Sequence, residues 1–400
     1  MQKKTVVMVL ASLVSGAAFA QNNVTIYGVV DMDYTYANQA IVSGTKVFSA
    51  INSGSQSTSR FGFMGREDLG NGLEASFRME GGFAPDTGAG NNGGRVMGRW
   101  STVGLASKQW GEIQMGRRDG IHDEFLGQKI DATGGTTVAR INSLYPNSNS
   151  YIRDRLTNAV VWLSPNWSGV ELKAAYSSHN VEEDAANAQD WVPVANAATT
   201  QAVTNRRVYV FGATYTNGPL VIGGTAEYTK QQEVNNTNPN PPKAFDHGTI
   251  WQVGGGYDFG VVRVSSAYSK VNYAQNTGFP SSGTITGISR PETRDNTGVW
   301  VLGLSAPIGA AGKLSFNYGQ SKTGFIDPTR ADAKSSMFGI LYSHELSKRT
   351  NLYTAYGHYH NNDAAKASAN DGGTREVVSD GMGNIGTYQQ AFQVGIRHKF

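Results

Sequence analysis

The residue types in this chain that could perform catalysis or bind a metal or phosphate are its serines, its seven histidines and its glycine-rich stretches. A serine hydrolase needs a Ser nucleophile beside a His base, but the motif Gly-x-Ser-x-Gly does not occur. His358 and His360 would share one face of a strand, a spacing that can bind a metal ion, but no third ligand is apparent. Residues 88–94 lack the Lys-Ser/Thr of a phosphate-binding loop. We therefore expect no enzyme, no cofactor and no metal site.

Arginines form a second set of candidates, because the alternation of side chains along a strand places them on polar faces. Arg60 lies on the face opposite Phe61 and Phe63. The same rule places Arg78 and Arg118 opposite apolar side chains of their own strands. Guanidinium suits a fixed charged wall, since it stays protonated at any relevant pH and presents a rigid fork of donors. Neighbouring segments with weaker alternation contribute three further candidates: Arg99, Arg153 and Arg155.

The composition of the chain excludes several classes of protein. Its 400 residues contain no Cys, which excludes a disulfide scaffold and thiolate metal sites. Beyond the N-terminus there is no apolar run of the roughly 18 residues that a membrane-spanning helix needs. The 34 Lys and Arg nearly balance the 31 Asp and Glu, so the net charge offers no footprint for nucleic acid.

Residues 1–20 have the features of a secretory signal peptide. Lys3 and Lys4 form a basic start, residues 5–14 are apolar, and Ala18-Phe19-Ala20 is a small-x-small cleavage site. We therefore expect an exported mature chain of residues 21–400. Export without cysteine fits a bacterial envelope protein that needs no disulfide in an oxidising periplasm.

The mature chain shows sixteen runs of about ten residues with period-two alternation, from residues 24–36 to residues 387–400. The second run is residues 57–68, and the polar residues 37–56 before it are expected to form a loop. Such runs, closed by turn residues, are typical of antiparallel strands. Their connections alternate between short turns, such as residues 217–219, and long polar segments, such as residues 179–204 and 273–296. No composition shift or linker marks a domain boundary, so we expect one all-β domain.

The alternation of short and long connections predicts a closed barrel with all its short turns at one end. Outer-membrane barrels have an even number of strands, short periplasmic turns and longer external loops. Closure matters because unpaired backbone groups at a sheet edge cannot face lipid. The sequence therefore predicts a 16-stranded antiparallel transmembrane β-barrel. A soluble multidomain β protein or a repeat-containing adhesin is the alternative.

Several segments of the mature chain resemble the trimeric sixteen-stranded general porins of the Gram-negative outer membrane, in particular their β-proteobacterial branch. The strings are individually weak, but their order and spacing are specific. The terminal Phe400 resembles the C-terminal aromatic residue that this family uses as an assembly signal. The matching segments are Val24-Thr25-Ile26-Tyr27-Gly28 with Asp31, Ser59-Arg60-Phe61-Gly62, residues 65–73, Arg99 with Val103-Gly104-Leu105, Gly111 with Gly116-Arg117, and residues 158–169.

The resemblance implies that the third loop, residues 118–155, folds into the barrel and narrows it. The arginines described above would then face acids of this loop across a pore constriction. The centre of the loop, residues 133–137, is acid-poor and departs from the family's pattern, which leaves the charge pattern of the constriction open. The loop acids expected at the constriction are Asp119, Asp123, Glu124 and Asp131.

The function implied is that of a general diffusion porin, a passive water-filled channel for ions and small hydrophilic solutes. Two unit charges about 6 Å apart in water interact by only about 0.7 kcal/mol, so we expect weak selectivity. Its sign is open, because Glu74, Glu80 and Glu112 share the polar faces with the arginines.

The expected partners follow from an outer-membrane location: a homotrimer, outer-membrane lipid and lipopolysaccharide, periplasmic chaperones, the barrel-assembly machinery, and small ions and solutes, without nucleic acid. Three other functions stay open. The channel could be selective for an anion such as phosphate, the barrel could be a closed structural or adhesive protein, or it could be an outer-membrane hydrolase.

Overall fold

The structure is a computed structural model that describes residues 23–40, 47–145, 155–178, 203–234, 245–272, 294–325, 329, 331–364 and 388–400. The predicted signal peptide, residues 1–20, and Arg153 lie outside the described residues. No described helix is long and apolar enough to cross a membrane.

Sixteen barrel strands run through the described chain, and the second of them consists of two segments. The first eight are β1 (Asn23–Ala40), β2 (Val47–Ser53 and Arg60–Gly70), β3 (Leu73–Ala84), β4 (Trp100–Ser107), β5 (Gly111–Asp119), β6 (Arg155–Leu163), β7 (Val170–Ser177) and β8 (Val203–Asn217). The others are β9 (Leu220–Val234), β10 (Phe245–Asp258), β11 (Arg263–Asn272), β12 (Arg294–Ile308), β13 (Gly312–Phe325), β14 (Ala333–Glu345), β15 (Thr350–Asn361) and β16 (Tyr388–Lys399). A two-residue strand, Ala89–Gly90, also pairs with the end of β3.

Each strand pairs antiparallel with its neighbours in the chain, and β1 pairs with β16 from Val29↔Lys399 to Ala40↔Tyr388, which closes the barrel. The predicted 16-stranded antiparallel barrel is confirmed. All tight turns, such as the one between Asn217 and Leu220, lie at one end, which we call the turn end. The opposite end, where the longer connections lie, is the loop end.

The second strand differs from the prediction, which began it at residue 57 and placed residues 37–56 in a loop. Both segments of β2 pair with β1, and residues 54–59 interrupt the ladder. Gly54 has a positive φ of 78°, a conformation that glycine adopts without steric cost. The carboxylate of Asp31 then accepts the backbone N–H groups of Gln56 at 2.7 Å and Ser57 at 2.5 Å. A side chain of β1 therefore replaces the missing ladder bonds.

Strand β13 shows how the two faces of the barrel wall differ. Leu314 points outward and is exposed, as an apolar group facing lipid would be, whereas Ser315 and Asn317 point inward and are buried. Inward burial requires a cover, because an open lumen would leave these side chains in contact with water. The connection between β5 and β6 provides it.

This connection contains a short helix, α1 (Ile121–Phe125), a π-helical turn (Leu126–Ile130) and a 3₁₀ turn (Ile141–Leu144). It packs inside the barrel against the inner wall of β8 to β11, β13 and β14. The loop and wall form one buried apolar cluster: Phe125, Leu126, Ile130, Ile141, Leu144 and Tyr145 with Ala267, Val299, Val301, Met337 and Tyr359. The expectation that the third loop enters the barrel therefore agrees with the structure.

Two inward-facing glycines mark where the loop approaches the wall most closely. A Cβ atom on Gly339 would lie 2.4 Å from Ala139 Cα, and one on Gly357 would lie 2.2 Å from the carbonyl oxygen of Val138. Only glycine lets the two backbones come this close. The fold therefore fixes the path of the loop through backbone contacts as well as apolar packing.

Candidate functional site

Three arginines converge on one buried carboxylate at the inner wall of β2 and β3. Glu80 accepts a hydrogen bond from Arg99 Nε at 2.7 Å and from Arg78 Nη2 at 2.8 Å. Arg60 Nε lies 3.7 Å from the same carboxylate. The Glu80 side chain is 2% exposed, whereas that of Arg60 is 26% exposed. Three positive charges thus share one negative charge, and Arg78, at 35% exposure, and Arg60 are the accessible members of this group.

Aromatic rings hold the Arg78 side chain in place. Its guanidinium lies 4.0 Å from the ring centroid of Trp100 and donates from Nε to the Tyr27 hydroxyl at 2.8 Å. The Tyr27 hydroxyl donates in turn to Glu80 at 2.8 Å. Cation–π contact and a closed ring of hydrogen bonds restrict the guanidinium to one orientation.

A second group of charges joins the wall to α1. Arg118 pairs with Glu124 of the helix, and Lys173 of β7 lies 2.6 Å from the other oxygen of that carboxylate. Arg118 also lies 4.8 Å from the ring centroid of Trp100, so Arg118 and Arg78 contact the same ring. Two cations therefore share the Glu124 carboxylate.

Two titratable groups of α1 have shifted pKa values: the Glu124 carboxyl is ionised at pH 7, and the His122 imidazole is neutral. Burial raises the pKa of Glu124, but Arg118 and Lys173 more than offset this, so its pKa lies below the usual value and the carboxyl stays ionised. Complete burial lowers the pKa of His122 to about 3, so its imidazole is neutral. The 3.5 Å approach of His122 Nε2 to Glu227 is consequently no ion pair at pH 7. The carbonyl of His122 accepts the Gln252 amide at 3.0 Å, which fixes α1 to β10.

Two more arginines complete the group. Arg155 Nη1 lies 2.8 Å from Asp119 Oδ1, and Arg99 is within electrostatic range of both Arg155 and Arg60. Arg397 of β16 donates to Asn351 Oδ1 at 2.9 Å and to the Ser57 hydroxyl at 2.9 Å. Arg397 also interacts electrostatically with the carboxylates of Asp31 and Glu345 and, less strongly, with Arg60.

Taken together, seven described cations interact with five carboxylates, a surplus of two positive charges. We call these twelve residues the basic cluster: Arg60, Arg78, Arg99, Arg118, Arg155, Lys173 and Arg397 with Asp31, Glu80, Asp119, Glu124 and Glu345. Towards the turn end the balance reverses, because Arg66 pairs with Glu74 at 2.9 Å and with Glu112 at 2.7 Å.

Asp131 lies elsewhere, although the sequence grouped it with the constriction. Its carboxylate is 7% exposed and lies between the loop and β13. One oxygen accepts the Asn317 amide at 2.7 Å and the backbone N–H of Thr133 at 2.8 Å, and the other accepts the N–H of Ile141 at 3.2 Å. This carboxylate ties the loop together and presents no charge to the lumen. Asp123 lies half-buried on α1.

Sequence reasoning missed Tyr27, Trp100, Lys173 and Arg397 as members or supports of this site. Arg397 was already on the polar face of the last strand by alternation, and that signal could have identified it. Lys173 had the same signal, because it shares the polar face of its strand with Glu171, opposite Leu172. Tyr27 and Trp100 gave no comparable signal. Aromatic residues in barrel strands are expected to face lipid or its boundary, and only the tertiary arrangement brings these side chains to the arginines.

His358 and His360, considered above as metal ligands, both point outward on β15. His358 lies 5.3 Å from the ring centroid of Phe338, stacked as an aromatic group. They therefore lie on the opposite face of the wall from the basic cluster.

Comparisons with known proteins agree with this architecture. The family model described as Gram-negative porin matches residues 5–364. An outer membrane porin protein of Bordetella pertussis is 31% identical over 425 residues, with 100% of both chains covered. Outer membrane porin protein 32 of Delftia acidovorans is 28% identical over 414 residues, again with full coverage.

Solved structures show the same barrel. The anion-selective porin from Comamonas acidovorans superposes with a TM-score of 0.68 at 23% identity, covering 95% of this chain and 100% of that one. The trimer form of OmpT from Vibrio cholerae has a TM-score of 0.63 at 15% identity, covering 95% and 99%. With the family match over most of the chain and a closed barrel of sixteen strands, the chain belongs to the Gram-negative porin family and is a β-barrel protein of the outer membrane.

Proposed function

We propose that this porin is a passive diffusion channel for ions and small hydrophilic solutes that prefers anions. The observation that carries the proposal is the surplus of two positive charges in the basic cluster. The constriction would be formed by residues that the sequence predicted there, namely the arginines Arg60, Arg78, Arg99, Arg118 and Arg155 and the loop acids Asp119 and Glu124. Arg397 and Lys173 join them, and Asp131 takes the role of a loop anchor instead.

The preference follows from electrostatics and is modest in size. At about 6 Å in water one unpaired charge attracts a passing anion by about 0.7 kcal/mol, which corresponds to about threefold in local concentration. Screening over roughly 10 Å at 0.1 M salt limits how far several charges add up. We expect chloride to permeate several-fold faster than potassium, without exclusion of either ion.

A selective anion channel is the second candidate, and one arrangement favours it. Arg60 lies within electrostatic range of both Arg99 and Arg397, and guanidinium forks can bind carboxylate or phosphate oxygens in pairs. The anion-selective name of the Comamonas acidovorans relative supports an anionic solute in both candidates. The trimeric form of OmpT supports a homotrimer for this chain.

The refolded mature protein in a planar bilayer tests the proposal. The reversal potential in a tenfold KCl gradient should have the sign of an anion-preferring pore. Added phosphate separates the two candidates. A saturable block of the chloride current at submillimolar phosphate favours the selective channel. A change in current that is proportional to the phosphate concentration favours general diffusion. A folded barrel without conductance would contradict both.

A further inference from the structure

We propose that three lysines on the outer surface of the barrel bind the phosphate groups of lipid A in the outer leaflet. We call Lys270, Lys322 and Lys334 the outer basic row. The inference is independent of the pore, because these side chains lie on the lipid-facing side of the wall.

The three lysines lie side by side in the register of the sheet. Lys270 pairs with Gly298, Gly298 pairs with Lys322, and Lys322 pairs with Lys334. Neighbouring strands are about 4.8 Å apart, so Lys322 and Lys334 are separated by about 5 Å and Lys270 and Lys322 by about 10 Å at the backbone. The row crosses four consecutive strands, β11 to β14.

Strand alternation and burial both show that the row faces outward. The inward neighbours Ser269, Ser321 and Ser335 are buried, at 0%, 4% and 8% exposure. The Lys322 side chain is 64% exposed, and Lys334 is exposed as well. A charged group on this side of a transmembrane barrel is tolerated only near the membrane boundary.

Aromatic side chains mark that boundary immediately below the row. On the outward face, Trp251 packs on Tyr268 at 5.5 Å between ring centroids, and Trp300 packs on Tyr318 at 5.4 Å. Tyr and Trp are enriched where the hydrocarbon meets the headgroups. Tyr268 lies two residues from Lys270 on the same strand, about 7 Å along the strand towards the membrane centre. The lysines therefore lie at the depth of the lipid phosphates.

Gly298 leaves a gap between Lys270 and Lys322. A Cβ atom at this position would lie 2.9 Å from the Tyr268 hydroxyl, so this hydroxyl borders the gap and could donate to a group that enters it. Next to it, the Gln320 amide donates to the Tyr318 hydroxyl at 2.8 Å. A phosphate in the gap would meet ammonium groups from both sides and a hydroxyl and an amide from below.

The row is a concentration of like charge that an anion would relieve. Lysines directly opposite each other on neighbouring strands repel, as Lys322 and Lys334 do here. Lys322 also pairs with Asp332 at 2.8 Å, but both side chains are exposed, and such a pair contributes little. Lys322 can therefore exchange this partner for a phosphate at low cost.

The position of the row identifies the lipid. It lies at the loop end, which faces the outer leaflet in this family. Among the described residues, β8 to β14 carry no outward-facing Lys or Arg in their periplasmic halves. Lipid A is the phosphorylated glycolipid of the outer leaflet, so its phosphates reach the lysines while its acyl chains lie along the aromatic and apolar wall.

Binding of lipid A to the refolded full-length mature barrel in detergent tests the proposal, with native mass spectrometry counting retained molecules in a titration. The probes are bisphosphorylated lipid A and its phosphate-free derivative. We expect wild-type protein to retain the bisphosphorylated form, and the variant K270Q/K322Q/K334Q to bind it at least tenfold more weakly. A basic residue near a membrane surface contributes about fivefold in affinity to anionic lipid.

A matched control removes the same charge elsewhere. The variant K108Q/K348Q/R349Q loses three exposed cations from the periplasmic turns, and it should bind lipid A like wild type. Gly298→Leu keeps all charges but fills the gap, and we expect it to weaken binding about as much as the loss of one lysine. All variants should keep wild-type conductance, which separates this proposal from the proposed pore.

Three results would overturn the assignment. Equal binding by wild type and the triple lysine variant would exclude the row. An equal loss of lipid A affinity in K108Q/K348Q/R349Q would show that the net charge of the protein, and not the position of the row, determines binding. Equal retention of the phosphate-free derivative, or of phosphatidylglycerol, would exclude recognition of the lipid A phosphates.

Discussion

The amide of Asn317 donates to the carboxylate of Asp131 at 2.7 Å, joining the third loop to the inner wall of β13. The same amide donates to the carbonyl of Ala139 at 2.9 Å, so one wall side chain binds the loop on both sides of residues 133–137. Apolar packing of Ile141 and Leu144 surrounds this contact. The loop is therefore fixed in the lumen by a specific polar anchor within an apolar cluster.

Replacing Asn317 with Leu should loosen this anchor. The substitution leaves the buried Asp131 carboxylate without its amide donor, which costs about 1–3 kcal/mol. We expect a lower urea midpoint for barrel unfolding and noisier single-channel currents. Asn361→Leu is the matched control, because Asn361 bonds Ser335 on the wall and not the loop. Quiet currents in Asn317→Leu would show that Asn317 does not hold the loop.

Glu80→Gln should strengthen the anion preference. The change removes the only carboxylate contacted by Arg60, Arg78 and Arg99 among the described residues, so the local positive charge rises by one. We expect the permeability ratio of chloride to potassium to increase about two- to threefold, read from reversal potentials. Glu67→Gln makes the same charge change at an exposed site in the periplasmic part of β2 and should leave the ratio unchanged. A wild-type ratio in Glu80→Gln would remove this group from the ion path.

Arg60→Glu should shift permeability in the opposite direction. Arg60 is, with Arg78, one of the two partly exposed cations of the Glu80 group, so reversing its charge places two acids beside the ion path. We predict a ratio of chloride to potassium that falls several-fold and approaches or passes unity. Lys348→Glu, a change of the same size in a periplasmic turn, serves as the comparison. If both variants gave the same reversal potential, Arg60 would not line the constriction.

The free energy of unfolding of the barrel should decrease as the pH is lowered, because His122 is buried in its neutral form. Its folded-state pKa is about 3, whereas an unfolded histidine titrates near 6.5, so between these values the unfolded chain binds a proton that the folded chain does not. The contribution of neutral His122 to the free energy of unfolding is therefore fully present above pH 6.5 and is lost progressively as the pH decreases below this value. The lowered pKa of Glu124 adds a loss of the same sign at still lower pH.

Urea unfolding at pH 7 and pH 4.5 measures this effect. We expect the wild type to lose about 2–3 kcal/mol more than His122→Gln, in which the titrating group is absent. An identical loss in both proteins would show that His122 does not contribute to the pH dependence.

Deleting Phe400 should impair assembly. The backbone of Phe400 exchanges two hydrogen bonds with Gly28, at 3.0 and 3.1 Å, and its ring covers the outward face of that glycine. The last residue thus completes the closing seam between the two ends of the barrel. We expect a several-fold lower yield of heat-modifiable folded barrel, with Phe400→Tyr restoring most of it. A normal yield after deletion would contradict a role in assembly.

Strand number, order and the inward face of most strands were predictable, because alternation of apolar and polar residues is enforced separately in every strand by lipid on one side. The interruption of β2 was not, since it depends on the Asp31 carboxylate meeting residues 56 and 57 across the sheet. The arginines were located by alternation alone. Which carboxylates the arginines contact was not predictable, because the path of the loop through the barrel decides it. The same holds for Asp131, which contacts Asn317 and does not face the lumen.

The reversal potential of the wild-type channel in a tenfold KCl gradient tests the central claim most directly. Seven cations against five carboxylates predict stepwise ohmic openings and a potential of the sign that chloride permeation gives, corresponding to a several-fold preference. A potential of the opposite sign would contradict the assignment of the basic cluster to the constriction, and a folded but silent barrel would contradict the channel itself.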